Sequence, residues 1–166
     1  MTRSYEQITR RDLRRLADLA REDRNDLFTR KPDTGRLYRN RLFAVALCQG
    51  GALHYLDGKN GIKDLDVWSF FEESLVRPYP YRRRAARDFG DPKFGRTEGF
   101  EHFEGRCVDL IGRSIKLVDR AYPVATLQRY LAEGRTTSSR WLSKKAMILL
   151  EPAGLLGTVV WRPSSK

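Results

Sequence analysis

Histidine and cysteine are scarce in this chain of 166 residues, two of each. His54 and His102 share no ligand spacing with Cys48 and Cys107, which leaves no thiol or imidazole zinc motif and no disulfide framework. Both cysteines lie inside apolar stretches and are expected to be buried free thiols. Long hydrophobic runs are missing too, so no membrane span is expected. The first residues, MTRSYEQITRRDLRR, lack the apolar centre of a secretory signal, and a reducing cytoplasm is the expected location.

Acids are outnumbered, 21 against 32 Lys and Arg, for a net charge of +11. Anionic partners are therefore drawn to the surface, whether nucleotides, phosphorylated substrates or nucleic acid. Arginines mixed with acids in the N-terminal segment fit a solvated helix face. The denser cluster of Arg77, Arg82, Arg83, Arg84 and Arg87 holds few acids and is a candidate surface for phosphates or an anionic acceptor. Tyr79, Tyr81 and Phe89 interleave with it, either to stack bases or to cover the core of their own loop.

The 40% hydrophobic share, with 8 Phe, 7 Tyr and 3 Trp, supports one folded domain over residues 1–166. Apolar residues at Leu13, Leu16, Ala17, Ala20 and Leu27 predict an amphipathic helix over about 9–28, ended by the Pro and Gly of KPDTG. A buried strand is expected at 41–48, a short helix within ALHYLDG, a loop at 59–61 and a second strand in IKDLDVWSFF. Residues 74–100 form a long connection, with a short helix in 82–88 as one option. A third strand is expected at 106–111. Pro123 opens a helix reaching Gly134, and TTSS caps another that carries Leu142, Ala146, Leu149 and Leu150 on one face and stops at Pro152. The closing GLLGTVVW reads as a strand. The fold class is α+β, a small mixed sheet with flanking helices: a core over about 36–118, then C-terminal helices and a strand over 119–166.

The stretch CQGGALHYLDGKNGIKDLDVW, residues 48–68, holds the candidate chemistry. Residues two apart on a strand share a face, so Asp64 and Asp66 should lie together while Leu65 and Val67 enter the core. Two like charges so placed need a shared proton or bound cations. Asp109, in a similar apolar setting on the third strand, would add a third carboxylate, and such a set suits magnesium. Two ions could clamp the attacking and leaving oxygens of a phosphoryl transfer. Gly50 and Gly51 stand before a short helix whose N-terminus can face an anion. Lys59 and Lys63 precede the aspartates and can steer phosphates. His54 is expected to be a surface or packing residue.

An apolar strand ending in Gly-Gly, a short helix, a strand with two carboxylates one residue apart, and a third carboxylate on a neighbouring strand resemble the nucleotidyltransferase superfamily related to DNA polymerase β. The likeness covers about residues 40–112, as AVALCQGG, DLDVW and CVDL. It implies a palm-like nucleotidyltransferase core in which Gly50 and Gly51 hold the phosphates of a nucleoside triphosphate such as ATP. Asp64 and Asp66 would bind Mg2+, with two ions as in the family, and Asp109 would complete the site and help activate an acceptor hydroxyl. Lys144 or Lys145 would match a triphosphate-binding lysine on a late helix. Many members carry serine at the second glycine position, a hydroxyl that Gly51 lacks. The alternatives are a nucleic-acid-binding protein without catalysis on the same fold, and an interaction partner of the toxin–antitoxin type.

Overall fold

The computed structural model describes residues 3–80 and 84–163. Five helices flank one six-stranded mixed sheet of order β3-β4-β2-β1-β5-β6. The strands are β1 (Leu42–Cys48), β2 (Leu65–Glu72), β3 (Arg84–Asp88), β4 (Cys107–Ile115), β5 (Met147–Glu151) and β6 (Val159–Trp161). Only β2 and β4 pair in parallel; every other neighbouring pair is antiparallel. The architecture is α+β, and among the described residues no helix is long and apolar enough to cross a membrane.

The N-terminal helix α1 (Arg10–Arg30) starts at a capping box, where the Thr9 hydroxyl accepts from the Asp12 amide and the Asp12 carboxylate accepts from that of Thr9. Leu13, Leu16, Leu19 and Ala20 turn its apolar stripe onto Val45, Leu47, Leu65, Val67, Ile148 and Leu150 of the sheet. The opposite sheet face, with Ala46, Trp68, Phe70 and Leu149, packs under α4 (Pro123–Glu133) and α5 (Thr137–Leu142). Side-chain alternation along each strand therefore feeds two separate cores.

Three expected elements differ. KPDTG does not end the helical region: the chain breaks only at Lys31, and α2 (Pro32–Tyr38) follows with Pro32 in its first turn, where a missing N–H costs nothing. The described part of 82–88 is strand β3, because pairing of Arg84–Asp88 with β4 overrides the helix preference of alanine and arginine. The helix expected to run on to Pro152 stops at Leu142. Met147 and Leu149 face one core while Ile148 and Leu150 face the other, and burial on both sides is the environment of an inner strand, β5.

Candidate functional site

Antiparallel pairing sets the start of β2 beside the end of β1, with Cys48 opposite Asp66. The parallel partner β4 places Asp109 opposite Asp66 on the other side. Met147, Cys48, Asp66, Asp109 and Ala86 thus form one row across five strands. Residues in register on neighbouring strands project from the same face, about 4.8 Å apart. Asp66 and Asp109 are therefore adjacent carboxylates on one face, an arrangement favoured by nearby positive charge. Leu65 and Val67 are fully buried on the other face, as the alternation requires.

Asp64 is not itself on the strand; β2 begins at Leu65 and Asp64 closes the loop before it. It nonetheless lines, with Asp66, a cleft of about 170 Å³ whose other walls include Arg3, Gln49, Gly50, Lys63, Trp141 and Lys145. The cleft joins two of the three expected aspartates, one of the two glycines and Lys63. Asp109 is buried at its side, with the Cys107 thiol 4.0 Å from its carboxylate. Lys145 faces the cleft, whereas the exposed Lys144 is not among the residues that line it.

The two glycines have different surroundings. A Cβ on Gly50 would meet nothing within 4 Å, so its backbone borders open space at the cleft. A Cβ on Gly51 would sit 3.1 Å from Leu47 Cδ1 and 3.3 Å from Leu65 Cδ2. Gly51 therefore lets helix α3 (Gln49–Asp57) lie close on β1 and β2, and its missing side chain points to the core.

Gln49 carries no expectation from the sequence, yet it is the most unusual residue of the cleft. Its φ of +62° is left-handed, a conformation that costs a non-glycine residue about 1–3 kcal/mol. Its side chain is buried, and the Nε2 amide has no hydrogen-bond partner among the described residues. Its backbone N–H donates to the Ala146 carbonyl at 3.1 Å, which ties the turn to the start of β5. Strain and an unsatisfied donor together at one cleft residue are what a ligand-binding turn retains.

Arg3 and Arg106 also escape sequence reading. Ser4 bridges Ile62 in strand fashion and Arg3 Nη1 donates to the Gly61 carbonyl at 3.3 Å, which brings a third cation to the cleft beside Lys63 and Lys145. The Arg106 side chain is buried, donating through Nε to the Phe94 carbonyl at 2.9 Å and through Nη1 to that of Lys63 at 3.2 Å. It thereby fixes the backbone immediately before Asp64. Burial lowers the Arg106 pKa and the Asp64 carboxylate opposes that shift. For Cys48, burial and then Asp66 push the thiol well up, so it is an inert neutral neighbour of the carboxylates. His54 is a packing residue: its ring nitrogens lie 2.6 Å from the Asn60 carbonyl and 2.8 Å from that of Glu6.

Comparison with protein-family models, curated proteins and solved structures gave no match.

The arginine cluster is dispersed. Arg82 and Arg83, with Tyr81, lie outside the described residues, and Arg84 enters as backbone of β3. Arg87 turns to α1, where it meets Asp23 at 3.6 Å, Glu22 at 3.8 Å and Asp26. Tyr79 stacks on Phe71 and Phe89 packs edge-on to Phe94, so both are core aromatics.

For a magnesium ion the donor chemistry fits without a preformed cage. Among the described residues no three His, Cys, Asp or Glu side chains stand together closely enough to hold a metal. Magnesium, however, commonly takes one or two carboxylates and completes its shell with water and substrate phosphates. Asp64 and Asp66 on the cleft wall supply that number.

Proposed function

We propose that the protein is a magnesium-dependent nucleotidyltransferase that moves a nucleoside monophosphate from a triphosphate to a hydroxyl acceptor. The observation that carries the reading is the row in which Asp66 and Asp109 stand in register directly beside the turn into α3. Asp64 and Asp66 would hold magnesium, which neutralises the phosphates and the charge that develops on the leaving group. Gly50 leaves room for the triphosphate at the α3 N-terminus, and the unpartnered Gln49 amide donates to a phosphate oxygen after a turn about its soft terminal torsion. Arg3, Lys63 and Lys145 surround the same space with positive charge. Trp141, 47% exposed on the rim, offers a ring on which a nucleobase can stack.

The reaction is an in-line displacement at the α-phosphorus. A bond forms between the acceptor oxygen and phosphorus, the bond to the bridging oxygen of the β-phosphate breaks, and pyrophosphate leaves with the electron pair. Asp109, beside Asp66, takes the proton of the acceptor hydroxyl. The protein's contribution is orientation together with a fixed electrostatic frame.

A thermal-shift series tests this directly. Wild-type protein should melt higher with a nucleoside triphosphate and magnesium together than with either alone, since a ligand bound only to the native state stabilises it by mass action. Asp66→Asn should remove the magnesium dependence and transfer activity while the free protein stays folded. A magnesium-dependent shift that survives in Asp66→Asn overturns the assignment.

A further inference from the structure

Beside the cleft lies a second groove of about 370 Å³, lined by Arg3, Ser4, Phe94, Gly95, Arg96 and Arg106. The two spaces share Arg3 as a common wall. Three arginines, Arg3, Arg96 and the buried Arg106, are among the residues that line the groove, and none of the described residues lining it is acidic. Some arginines of the protein are neutralised by acids: Arg87 meets three acids of α1, and Arg21 and Arg24 share Glu151. Arg3 and Arg96 have no carboxylate within ion-pair distance among the described residues. Arg106 is fixed in place by carbonyls of Phe94 and Lys63 with the Asp64 carboxylate acting on its charge, so it shapes the groove wall while Arg3 and Arg96 supply the donors.

We propose that this groove binds a phosphate group carried by the acceptor, so that the substrate receiving the nucleotide is a small phosphorylated alcohol. The identification of the bound molecule as the acceptor rests on the transfer reading above; the phosphate site itself does not. Arginine presents a planar fork of donors that matches phosphate oxygens two at a time. A phosphomonoester brings close to two negative charges, which suits the paired cations Arg3 and Arg96 better than a single carboxylate does. The groove's volume falls in the small-molecule range, enough for one phosphate and a short body. Arg106 reaches the backbone of Lys63 next to Asp64, so a molecule anchored by its phosphate here places a hydroxyl within a few bonds of the aspartates. The groove fixes the acceptor's orientation and the cleft fixes the donor's.

The test uses glycerol 3-phosphate and inorganic phosphate, titrated calorimetrically into the full chain already saturated with magnesium and α,β-methylene ATP. Arg96 is exposed and outside the cleft, so Arg96→Gln should fold normally and keep the nucleotide-induced rise in melting temperature. Loss of one charge-assisted contact should weaken glycerol 3-phosphate by about tenfold or more. Equal affinity in wild type and Arg96→Gln overturns the proposal, as does displacement of glycerol 3-phosphate by the nucleotide, which would mean a single shared site. A single-stranded oligonucleotide that binds through Arg96 and excludes glycerol 3-phosphate would also overturn it. If wild type shows no nucleotide shift but Arg96→Gln still loses glycerol 3-phosphate, the phosphate groove stands and the transfer reading falls.

Discussion

Replacing each glycine of the 50–51 pair separately should split binding from stability. Gly51→Ser introduces the hydroxyl that the proposed nucleotidyltransferase reading would place on the phosphates, yet the new Cβ would lie 3.1 and 3.3 Å from Leu47 and Leu65. Forcing atoms into packed space costs about 1–3 kcal/mol. A hydroxyl left between two leucine side chains without a partner adds about 1–3 kcal/mol. Against this, leaving glycine inside a helix gains at most about 1 kcal/mol. The net loss is about 1–6 kcal/mol, and at about 2–4 °C per kcal/mol for a chain of this size the melting temperature should fall by about 2–24 °C. Nucleotide binding should not improve. Gly50→Ala, whose methyl meets no protein atom within 4 Å, should hold or raise the melting temperature and weaken the nucleotide-dependent shift by narrowing the cleft. Scanning calorimetry of both variants with and without nucleotide reads all four quantities. A Gly51→Ser protein as stable as wild type that binds nucleotide more tightly would show that the second glycine faces the ligand, and the account of the turn would be wrong.

Gln49→Gly should raise the melting temperature of the free protein by a few degrees, because it relieves the left-handed strain and removes a buried unpaired donor, yet it should reduce the nucleotide-dependent shift. A free protein less stable than wild type would show that Gln49 is there for packing. Arg106→Met leaves the Phe94 and Lys63 carbonyls without their donors and should cost about 2–4 kcal/mol in urea unfolding, with the conservative Arg106→Lys recovering part of the stability. A cost below about 0.5 kcal/mol would place Arg106 outside the framework of the site.

How much of this was legible depended on whether the signal was local. The amphipathic α1, the start of α4 at Pro123 and the alternation that buries Leu65 and Val67 are written in neighbouring residues, and reading them needs no knowledge of the fold. Strand β5 was hidden because Leu142, Ala146, Leu149 and Leu150 satisfy a helical spacing as well. Only burial of Met147–Glu151 from both sides separates the two. Strand β3 was hidden for the opposite reason, since its arginines and alanines have no strand preference and become a strand only by pairing with β4. At the site, the adjacency of Asp66 and Asp109 follows from strand order that spacing alone leaves open. Gln49 gave no sign in sequence because its strain and its unpaired amide are properties of a position, not of a residue type. Arg3 and Arg106 were two arginines among many until Ser4 met Ile62 and Phe94 met the head of β4.

The parallel pairing of β2 with β4 also sets when in folding the site can exist. A parallel neighbour cannot be reached by a hairpin, so the chain must travel through residues 73–106 before β4 can dock beside β2. Contacts closed over such a distance pay their loop entropy first and are slow to form. The β1–β2 hairpin with its intervening helix can assemble early and already holds Asp64, Asp66 and the glycine turn. Asp109 arrives only when the long crossover has closed, so under the proposed reaction a partly folded chain would have the cleft for nucleotide but lack the carboxylate that would take the acceptor's proton. On the proposed function, competence for transfer would thereby be tied to completion of the sheet.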